Sequence, residues 1–250
     1  MPAIPRSHFE RVREYVSIEL APGDRALDAG CGPGLDAIAI AEWSGAKVVG
    51  MDVSDSVFDS PARGIAGVSL VQASVLAPPF AERTFTLVYS YGVLHHTAAP
   101  ARAFSALGRL VAPAGLCVIY VYSDLREEGL VRGAVAVVSL LRRLTVRLPH
   151  RVLFALCRLG APMVYVTFGI PSMWLRSVGR RDLAQKLPFN WVRGPFTAVG
   201  DLYDRMSAPI EHRHSRDEIA AWYASSGLCD VRIVHMRDAR GWVAAGRRPA

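Results

Sequence analysis

A carboxylate and three glycines stand close together near the start of the chain. Asp28 ends a short apolar run and is followed by Gly30, Gly32 and Gly34 at alternate positions. Because glycine lacks Cβ and adopts positive φ, such a loop lets a ligand approach the backbone closely. The G-x-G-x-G spacing differs from the G-x-G-x-x-G of dinucleotide enzymes, and Pro33 removes an N–H that a phosphate could use. A carboxylate beside this loop would repel a pyrophosphate and attract a cation.

A second carboxylate, Asp52, ends the next apolar run, 18 residues beyond Gly34. This spacing along the sequence is near that of the acid which, in nucleoside-binding folds, accepts hydrogen bonds from both hydroxyls of an adenosine ribose. S-adenosylmethionine carries an adenosine, a sulfonium and an ammonium, and it has no phosphate. The loop and the two acids therefore predict a site for this cofactor rather than for NAD. A tight turn followed by an exposed acid is the alternative.

The elements that position these residues follow an alternating pattern of short apolar runs and helix-like stretches, which predicts β-α-β units and a parallel sheet. We predict strands over residues 25–28, 47–52, 69–72, 85–90 and 116–122. Helices are predicted after Pro33-Gly34 and over residues 100–110, and residues 112–115 read as a turn.

Near the end of the chain, Ser215 and Glu218 form a capping-box pattern ahead of a helix that Gly227 closes. Strands over residues 229–235 and 241–245 are predicted to pair as an antiparallel hairpin at the sheet edge. The expected fold is α/β: a Rossmann-like, doubly wound, seven-stranded sheet with a C-terminal antiparallel hairpin and a helical insertion.

The positive charge of the chain is concentrated in one stretch. Residues 1–124 hold nine basic and twelve acidic side chains, whereas residues 125–195 hold twelve basic against three acidic ones. We predict a domain formed by residues 1–124 and 215–250, interrupted by a helical, apolar and basic insertion over residues 125–214. Three interpretations of the insertion stay open: a lid with solvated arginines, the wall of an apolar substrate pocket, or a surface that touches a membrane.

The stretch of residues 152–170 has about the length of a membrane span. Arg158, Gly160 and Pro162 interrupt it, so we do not expect it to cross a membrane.

The sequence resembles the class I S-adenosylmethionine-dependent methyltransferases, in particular the small-molecule group that includes the ubiquinone-biosynthesis type. The glycine run of residues 27–34, the strand end of residues 48–52 and the segment of residues 85–97 carry the resemblance. It covers residues 25–122 well and residues 215–250 more weakly. The resemblance implies ten cofactor-binding positions: Asp28, Gly30, Cys31, Gly32 and Gly34 around the methionine portion, Asp52 and Val53 at the ribose, Ser74 and Val75 at the adenine, and Ser90 on the strand that floors the site. Ser74 replaces an acid that the family often has.

Three histidines are candidates for a general base, which a transfer reaction needs only where a hydroxyl or an acidic carbon must lose a proton. His95 follows the fourth strand beside His96, and His212 and His214 alternate before the last helix. Structural roles are the alternative: a family signature that hydrogen-bonds backbone for the first pair, and capping or packing for the second. No metal site is specified by the spacing.

The expected function is methylation, at oxygen or carbon, of a small and largely apolar molecule. The alternatives are a cyclisation or other non-methylating reaction with the same fold and cofactor, and a non-catalytic binding protein. Methylation of nucleic acid is not expected, because residues 85–97 contain neither an Asn/Asp-Pro-Pro-aromatic run nor a Pro-Cys. Four widely spaced cysteines are expected to be buried free thiols. The first residues show no signal-peptide pattern, which favours a cytoplasmic location.

Overall fold

The strands of the sheet are β1 Arg25–Ala29, β2 Lys47–Asp52, β3 Val68–Gln72, β4 Phe85–Tyr91, β5 Val111–Tyr122, β6 Cys229–Met236 and β7 Gly241–Arg247. The computed structural model describes residues 7–124, 133, 138, 140–187, 189, 192–236 and 239–250. Within this part of the chain the seven strands form one sheet in the order β3-β2-β1-β4-β5-β7-β6. The pairs among β1 to β5 are parallel, and β7 is antiparallel to both β5 and β6. The predicted fold class is confirmed, including the hairpin at the sheet edge.

Helices cover both faces of the sheet. They are α1 His8–Val12, α2 Leu35–Ser44, α3 Pro100–Arg109 and α8 Arg216–Ser225. Alternate residues of the central strands enter different cores: Val88 packs with side chains of α3 and α8, whereas Leu87 and Tyr89 pack with side chains of α1 and α2. This alternation is the period of two expected of a sheet buried on both sides.

The capping box of α8 is present as predicted. The Ser215 side chain accepts from the Glu218 N–H, and the Glu218 carboxylate accepts from the Ser215 N–H at 2.8 Å. Helix α8 ends at Ser225, and Gly227 follows with a φ of 67°. Local sequence patterns at this end of the chain are therefore sufficient to predict the start and the end of this helix.

The predicted turn over residues 112–115 is wrong, because these residues lie within β5. Val111 pairs with Phe85 and Leu116 pairs with Leu87, so the four intervening residues stand opposite Thr86 alone. They form a bulge, in which Ala114 has a φ of 58°. Proline and glycine produced a turn signal here, but pairing with β4 on both sides of the bulge keeps the chain in the sheet.

The described residues fall into two compact units, one of Met1–Asp124 with Ile210–Ala250 and the other of Leu125–Pro209. The second unit contains the helices α4 His150–Val164, α5 Ile170–Ser177, α6 Arg181–Lys186 and α7 Val199–Ser207, and residues 140–145 are also helical. Helix α4 packs against α7, where the His150 Nδ1 lies 2.6 Å from the Tyr203 hydroxyl. The first residues of the predicted insertion, 125–132, and residues 237–238, between the two strands of the predicted hairpin, lie outside the described residues.

The helical path from His150 to Ser177 is continuous. Pro162 lies inside α4, and a π-helical turn, Tyr165–Gly169, joins α4 to α5. A proline removes one helical hydrogen bond, and a π-turn close by accommodates the irregularity. This 28-residue helix is long and apolar enough to cross a membrane by length and composition, since an 18-residue stretch within it has a mean hydropathy of 1.6.

The four cysteines are free thiols. Cys31, Cys117 and Cys157 are buried as expected, but Cys229 is exposed. It lies at the start of β6, the edge strand, whose first four residues are all exposed. No disulfide links these four residues.

Candidate functional site

The glycine loop after β1 is held on the neighbouring strand by its backbone. The N–H groups of Gly30 and Cys31 both donate to the carbonyl of Met51, at 2.6 and 3.0 Å. Gly30, Gly32 and Gly34 have φ values of 84°, 51° and 79°, in the left-handed region that favours glycine. A Cβ on Gly30 would collide with the side chain of Val93. The loop therefore packs tightly against the segment after β4.

Gly32 differs from its neighbours because a Cβ added there would meet nothing within 4 Å. A ligand could therefore approach the backbone at this glycine. The Cys31 side chain beside it is buried, and burial with the nearby charges of Asp28 and Asp52 raises the pKa of its thiol. Cys31 thus stays a neutral thiol, which can line the loop but does not act as a thiolate nucleophile.

Asp28 is a buried carboxylate at the end of β1. It is 2% exposed, and its Oδ2 has no hydrogen-bond partner. Burial, followed by the charges of Asp36 and Asp52, raises the pKa of this carboxyl well above its usual value. The Ala37 N–H donates to this carboxylate, but the buried Oδ2 near two other acids is costly to leave without a partner, and a cation at Oδ2 would lower that cost.

Asp36, in the first turn of α2, joins the glycine loop to α1, a contact that the sequence did not indicate. Its carboxylate accepts from the Phe9 N–H at 3.1 Å and from the Tyr89 hydroxyl at 3.2 Å. The His8 Nδ1 lies 3.6 Å from its Oδ2, and the His8 ring stacks on Tyr91 at 4.2 Å. Helix α1 is thereby fixed next to the loop. An acid two residues after the last loop glycine was the available signal.

Asp52 ends β2, as predicted, and its carboxylate already accepts three hydrogen bonds. Its Oδ2 accepts from the Gly32 N–H at 2.8 Å, and its Oδ1 accepts from the N–H and the hydroxyl of Ser54 at 2.8 and 2.7 Å. A carboxylate has about four acceptor positions, so one is left at Oδ2. The Ser54 hydroxyl also lies 2.7 Å from the Ser56 hydroxyl. If it turned towards Ser56, Oδ1 would regain a second position.

The remaining predicted cofactor residues occupy different environments. Val53 is 70% exposed after β2, whereas Val75 is 7% exposed and packs in the core beside α3. Ser74 begins a turn in which its hydroxyl accepts from the Leu76 N–H at 3.2 Å. Ser90 is fully buried, and its hydroxyl donates to the Ala29 carbonyl at 2.8 Å. Its role in cofactor binding stays a prediction, limited to accepting a hydrogen bond.

His95 is the most unusual side chain at this edge of the sheet. It is fully buried, neither ring nitrogen has a hydrogen-bond partner, and it stacks on Tyr122 with the ring centres 3.9 Å apart. Burial, then the neighbouring charges of His96, His214, Arg213 and His212, lowers its pKa well below 6.5. The ring is therefore neutral at neutral pH. One of its nitrogens then carries a lone pair that can accept a proton.

A backbone hydrogen bond holds the segment that contains His212 and His214 beside His95. The His212 N–H donates to the His95 carbonyl at 2.8 Å, and the rings of His212 and His214 are 6.2 Å apart. His212 is exposed. His214 is buried, with its Nδ1 3.6 Å from the Glu218 carboxylate, and its Nε2 has no partner.

The histidines near this site have different environments, and His96 has a structural one. The imidazole of His96 contacts the Ile210 carbonyl at 2.8 Å, as expected of a structural histidine. Burial lowers the pKa of His214, although Glu218 opposes the shift. The three candidate bases are brought together, and their catalytic role stays a prediction. Among the described residues no group of three His, Cys, Asp or Glu side chains could hold a metal ion.

Comparisons with known proteins bear on the glycine loop and the strands around it. Residues 27–119 match the family model described as a methyltransferase domain. The 24-methylenesterol C-methyltransferase 2 of Oryza sativa subsp. japonica is 31% identical over 121 residues, which are 46% of this chain and 33% of that protein. This chain therefore matches only about a third of the length of that relative.

Solved structures share the fold at low sequence identity. The YcgJ protein from Bacillus subtilis superposes with a TM-score of 0.56 at 12% identity, covering 97% of this chain and 99% of that one. The cyclase SpnF has a TM-score of 0.55 at 13% identity, covering 97% of this chain and 80% of that one. Because a cyclase has this architecture too, the fold alone does not decide the reaction.

A doubly wound sheet with an acid-flanked glycine loop at the carboxyl ends of its strands defines the class of nucleoside-cofactor domains. Within that class, residues 27–119 match the methyltransferase-domain model, so this part of the chain resembles the class I S-adenosylmethionine-dependent methyltransferases.

Proposed function

We propose that the chain is an S-adenosylmethionine-dependent methyltransferase that acts on a small, largely apolar molecule at carbon or oxygen. The observation that carries the proposal is the buried Oδ2 of Asp28, which lacks a partner beside a glycine loop that is open at Gly32. A sterol C-methyltransferase among the relatives supports an apolar substrate.

The residues present fit the cofactor. Asp28, Asp36 and Asp52 gather three carboxylates around the loop, and the charges of the other two raise the pKa of Asp28. A cationic ligand would relieve their repulsion, whereas a pyrophosphate would increase it. The backbone of Gly32 is accessible, and Asp52 keeps an acceptor position for a ribose hydroxyl.

When bound, S-adenosylmethionine supplies an electrophilic methyl group on its sulfonium. In the proposed site Asp28 offsets the positive charge of the methionine portion, with Gly30, Cys31, Gly32 and Gly34 forming the wall beside it. Asp52 and Val53 hold the ribose, Ser74 and Val75 hold the adenine, and Ser90 closes the floor.

His95 is proposed as the group that takes a proton from a hydroxyl or an acidic carbon of the substrate. Its neutral ring, its burial and its two unpartnered nitrogens support this role. Val93, two residues earlier, packs against Gly30, so the segment that carries His95 lies beside the glycine loop. His212 and His214 are proposed to position the substrate or His95. A carbon nucleophile such as an alkene needs no base before transfer, and alignment would then dominate.

Calorimetric titration with S-adenosylmethionine and S-adenosylhomocysteine tests cofactor binding. Asp52→Ala should weaken binding by roughly 1–3 kcal/mol, because a charged acceptor is lost. Asp59→Ala is the matched control, since Asp59 is exposed outside the loop. Equal affinities for the Asp52→Ala protein and the original protein would remove the ribose contact from this residue.

The charge of Asp28 gives the same titration a second readout. A bound cation favours the ionised carboxylate and lowers the raised pKa, so binding should release a proton and strengthen as pH rises. Titrations in buffers of different ionisation enthalpy measure this proton, which should be absent in Asp28→Asn. Binding without proton release would argue against the placement of the cation.

Transfer itself is tested with cofactor labelled in its methyl group and a panel of sterols and linear terpenes. Label in the apolar extract supports the proposed function. Cofactor binding without label transfer to any member of the panel would favour a non-methylating or binding role.

A further inference from the structure

The second unit exposes an unusual amount of apolar surface along one helical face. From α4 through the π-turn to α5, seven exposed apolar side chains recur at intervals of three or four residues. Their exposed fractions run from 44% to 77%, and they are Val152, Leu156, Leu159, Met163, Val166, Ile170 and Trp174. This spacing places them on one stripe of the helix. We call these seven residues the apolar stripe.

The opposite face of the same helix is already occupied. Leu153, Cys157, Ala161 and Val164 are buried, and Ala161 and Val164 pack with Val192 and Ala198 within the unit. Phe154 contacts the ring of Tyr203 on α7. The stripe is therefore a second apolar face, separate from the one that holds the unit together.

Basic residues accompany the stripe without acids to balance them. The sequence contains no Asp or Glu from residue 129 to residue 181, but it contains nine arginines there. Among the described residues, Arg143, Arg147 and Arg151 are exposed and form no ion pair. Residues 140–148 add exposed Leu140, Leu141 and Leu144 between these arginines.

We propose that the apolar stripe, together with the exposed residues within 140–151 before it, binds an anionic membrane surface, with the helix of the stripe lying in the interface. Apolar side chains enter the acyl boundary, while the arginines reach the lipid phosphates. Trp174, 63% exposed on the stripe, is a residue type that favours this boundary. A helix that lies parallel to the membrane keeps its other face packed on α7, as observed. A single helix that spans the membrane would not need this packing.

The charge of this region favours an anionic membrane over a second copy of the chain as the partner of the apolar stripe. Pairing two stripes would bring arginines from both copies together, because this region has no acids to alternate with them. Like charges at close range oppose such a pairing. An anionic surface satisfies the apolar stripe and the arginines at once. A membrane-spanning helix would place Arg158, in the middle of the apolar stretch, at the bilayer centre, which is costly.

Sedimentation of the full chain with vesicles tests the proposal. Binding is expected to vesicles of phosphatidylcholine mixed with phosphatidylglycerol, to weaken at high salt, and to be much lower with phosphatidylcholine alone. Equal binding to both vesicles, or binding to neither, would overturn the proposal. The measurement is made without cofactor, so its result does not depend on the proposed methyl transfer.

Variants identify the surface. Leu159→Gln with Met163→Gln should lower partitioning by about tenfold or more, because two exposed apolar side chains are lost. Arg143→Gln with Arg147→Gln should lower binding to the anionic vesicles only. Val231→Gln and Arg216→Gln, on exposed positions of β6 and α8, are the matched controls and should change nothing. Unchanged binding in the stripe variant would refute this assignment.

Two further measurements distinguish binding at the membrane surface from a membrane-spanning helix and from contact with a second copy of the chain. The bound protein should be released from vesicles by alkaline carbonate, and retention after this wash would indicate a spanning helix instead. Analytical ultracentrifugation should give the same oligomeric state for the original protein and the stripe variant. An oligomer dispersed by Leu159→Gln with Met163→Gln would show that a second copy covers the stripe.

Discussion

His95 illustrates how burial turns an ordinary side chain into a reactive one. A neutral imidazole has one donor and one acceptor, and neither is satisfied here, which carries a free-energy cost in a folded protein. Such groups concentrate at functional sites, because a ligand can supply the missing partner. The stacking on Tyr122 fixes the ring plane, so the nitrogens are held in place.

His95→Phe should keep the stacking and cofactor binding, and lower transfer to a hydroxyl substrate by about a hundredfold or more. Initial rates with an accepted substrate measure this, with calorimetry as the binding control. The original enzyme should keep its rate down to mildly acidic pH, because the pKa of His95 is lowered and the ring becomes protonated only in stronger acid. Full turnover in the variant would show that transfer is positional.

The same residue affects stability against pH. The folded-state pKa of His95 lies below the unfolded value of 6.5, so the unfolded chain binds the proton first as pH falls. The free energy of unfolding should therefore decrease as pH drops below about 6.5, and this component should be missing in His95→Phe. Denaturant titrations at several pH values compare the two proteins; parallel pH curves would contradict the assignment.

At the scale of elements, the β5 bulge stores strain that sequence patterns hide. Ala114 has a positive φ without being glycine, whereas a Cβ on the next residue, Gly115, would lie 2.8 Å from the Ala112 carbonyl oxygen and 2.9 Å from that of Thr86. Ala114→Gly should therefore stabilise the protein by about 0.5–1 kcal/mol. Gly115→Ala should destabilise it by more than that. Thermal and denaturant unfolding measure both changes, and a loss of stability in Ala114→Gly would refute the strain.

These elements also show what a sequence alone can predict. The strand positions and the capping box of α8 rest on local patterns, so both could be predicted within a few residues. The bulge could not, because it depends on pairing with β4 on both sides of residues 112–115. Helix α1 has only five residues, and the contact that places it joins Phe9 to Asp36 across 27 positions.

In the candidate site, too, some residues can be predicted from the sequence, whereas their partners cannot. Residue types and spacing pointed to Asp28, the glycine loop and Asp52, because a close backbone approach and a carboxylate acceptor leave a local signature. The partners of those residues are non-local. The hydrogen bond between Gly32 and Asp52, the burial of His95 and the exposure of His212 depend on which strands lie side by side.

For the whole molecule, the two units have separate cores. The clusters on the two faces of the sheet consist of residues from the first unit, and Ala161, Val164, Val192 and Ala198 form a cluster in the second. The ends of the first unit also lie side by side: the Asp124 N–H donates to the His214 carbonyl, and the His214 N–H donates to that of Tyr122. The first unit should therefore fold without the second.

Replacing residues 125–209 with a short flexible linker tests what the second unit contributes. Ile210 lies four residues before His214, an extended distance of about 13 Å, so a linker of roughly six residues can close the gap at little entropic cost. We expect cofactor binding to stay within about twofold and transfer to be lost, because a closing element supplies water exclusion and alignment.

The stripe variant Leu159→Gln with Met163→Gln separates a lid from a membrane anchor. If the second unit only delivers the protein to a membrane, this variant and the deletion should both stay active on substrate dissolved in detergent. If the unit also encloses the substrate, the stripe variant should retain activity in detergent while the deletion has none. We expect the second result, since the glycine loop is open at Gly32. Full activity of the deletion variant in detergent would exclude a lid role for residues 125–209.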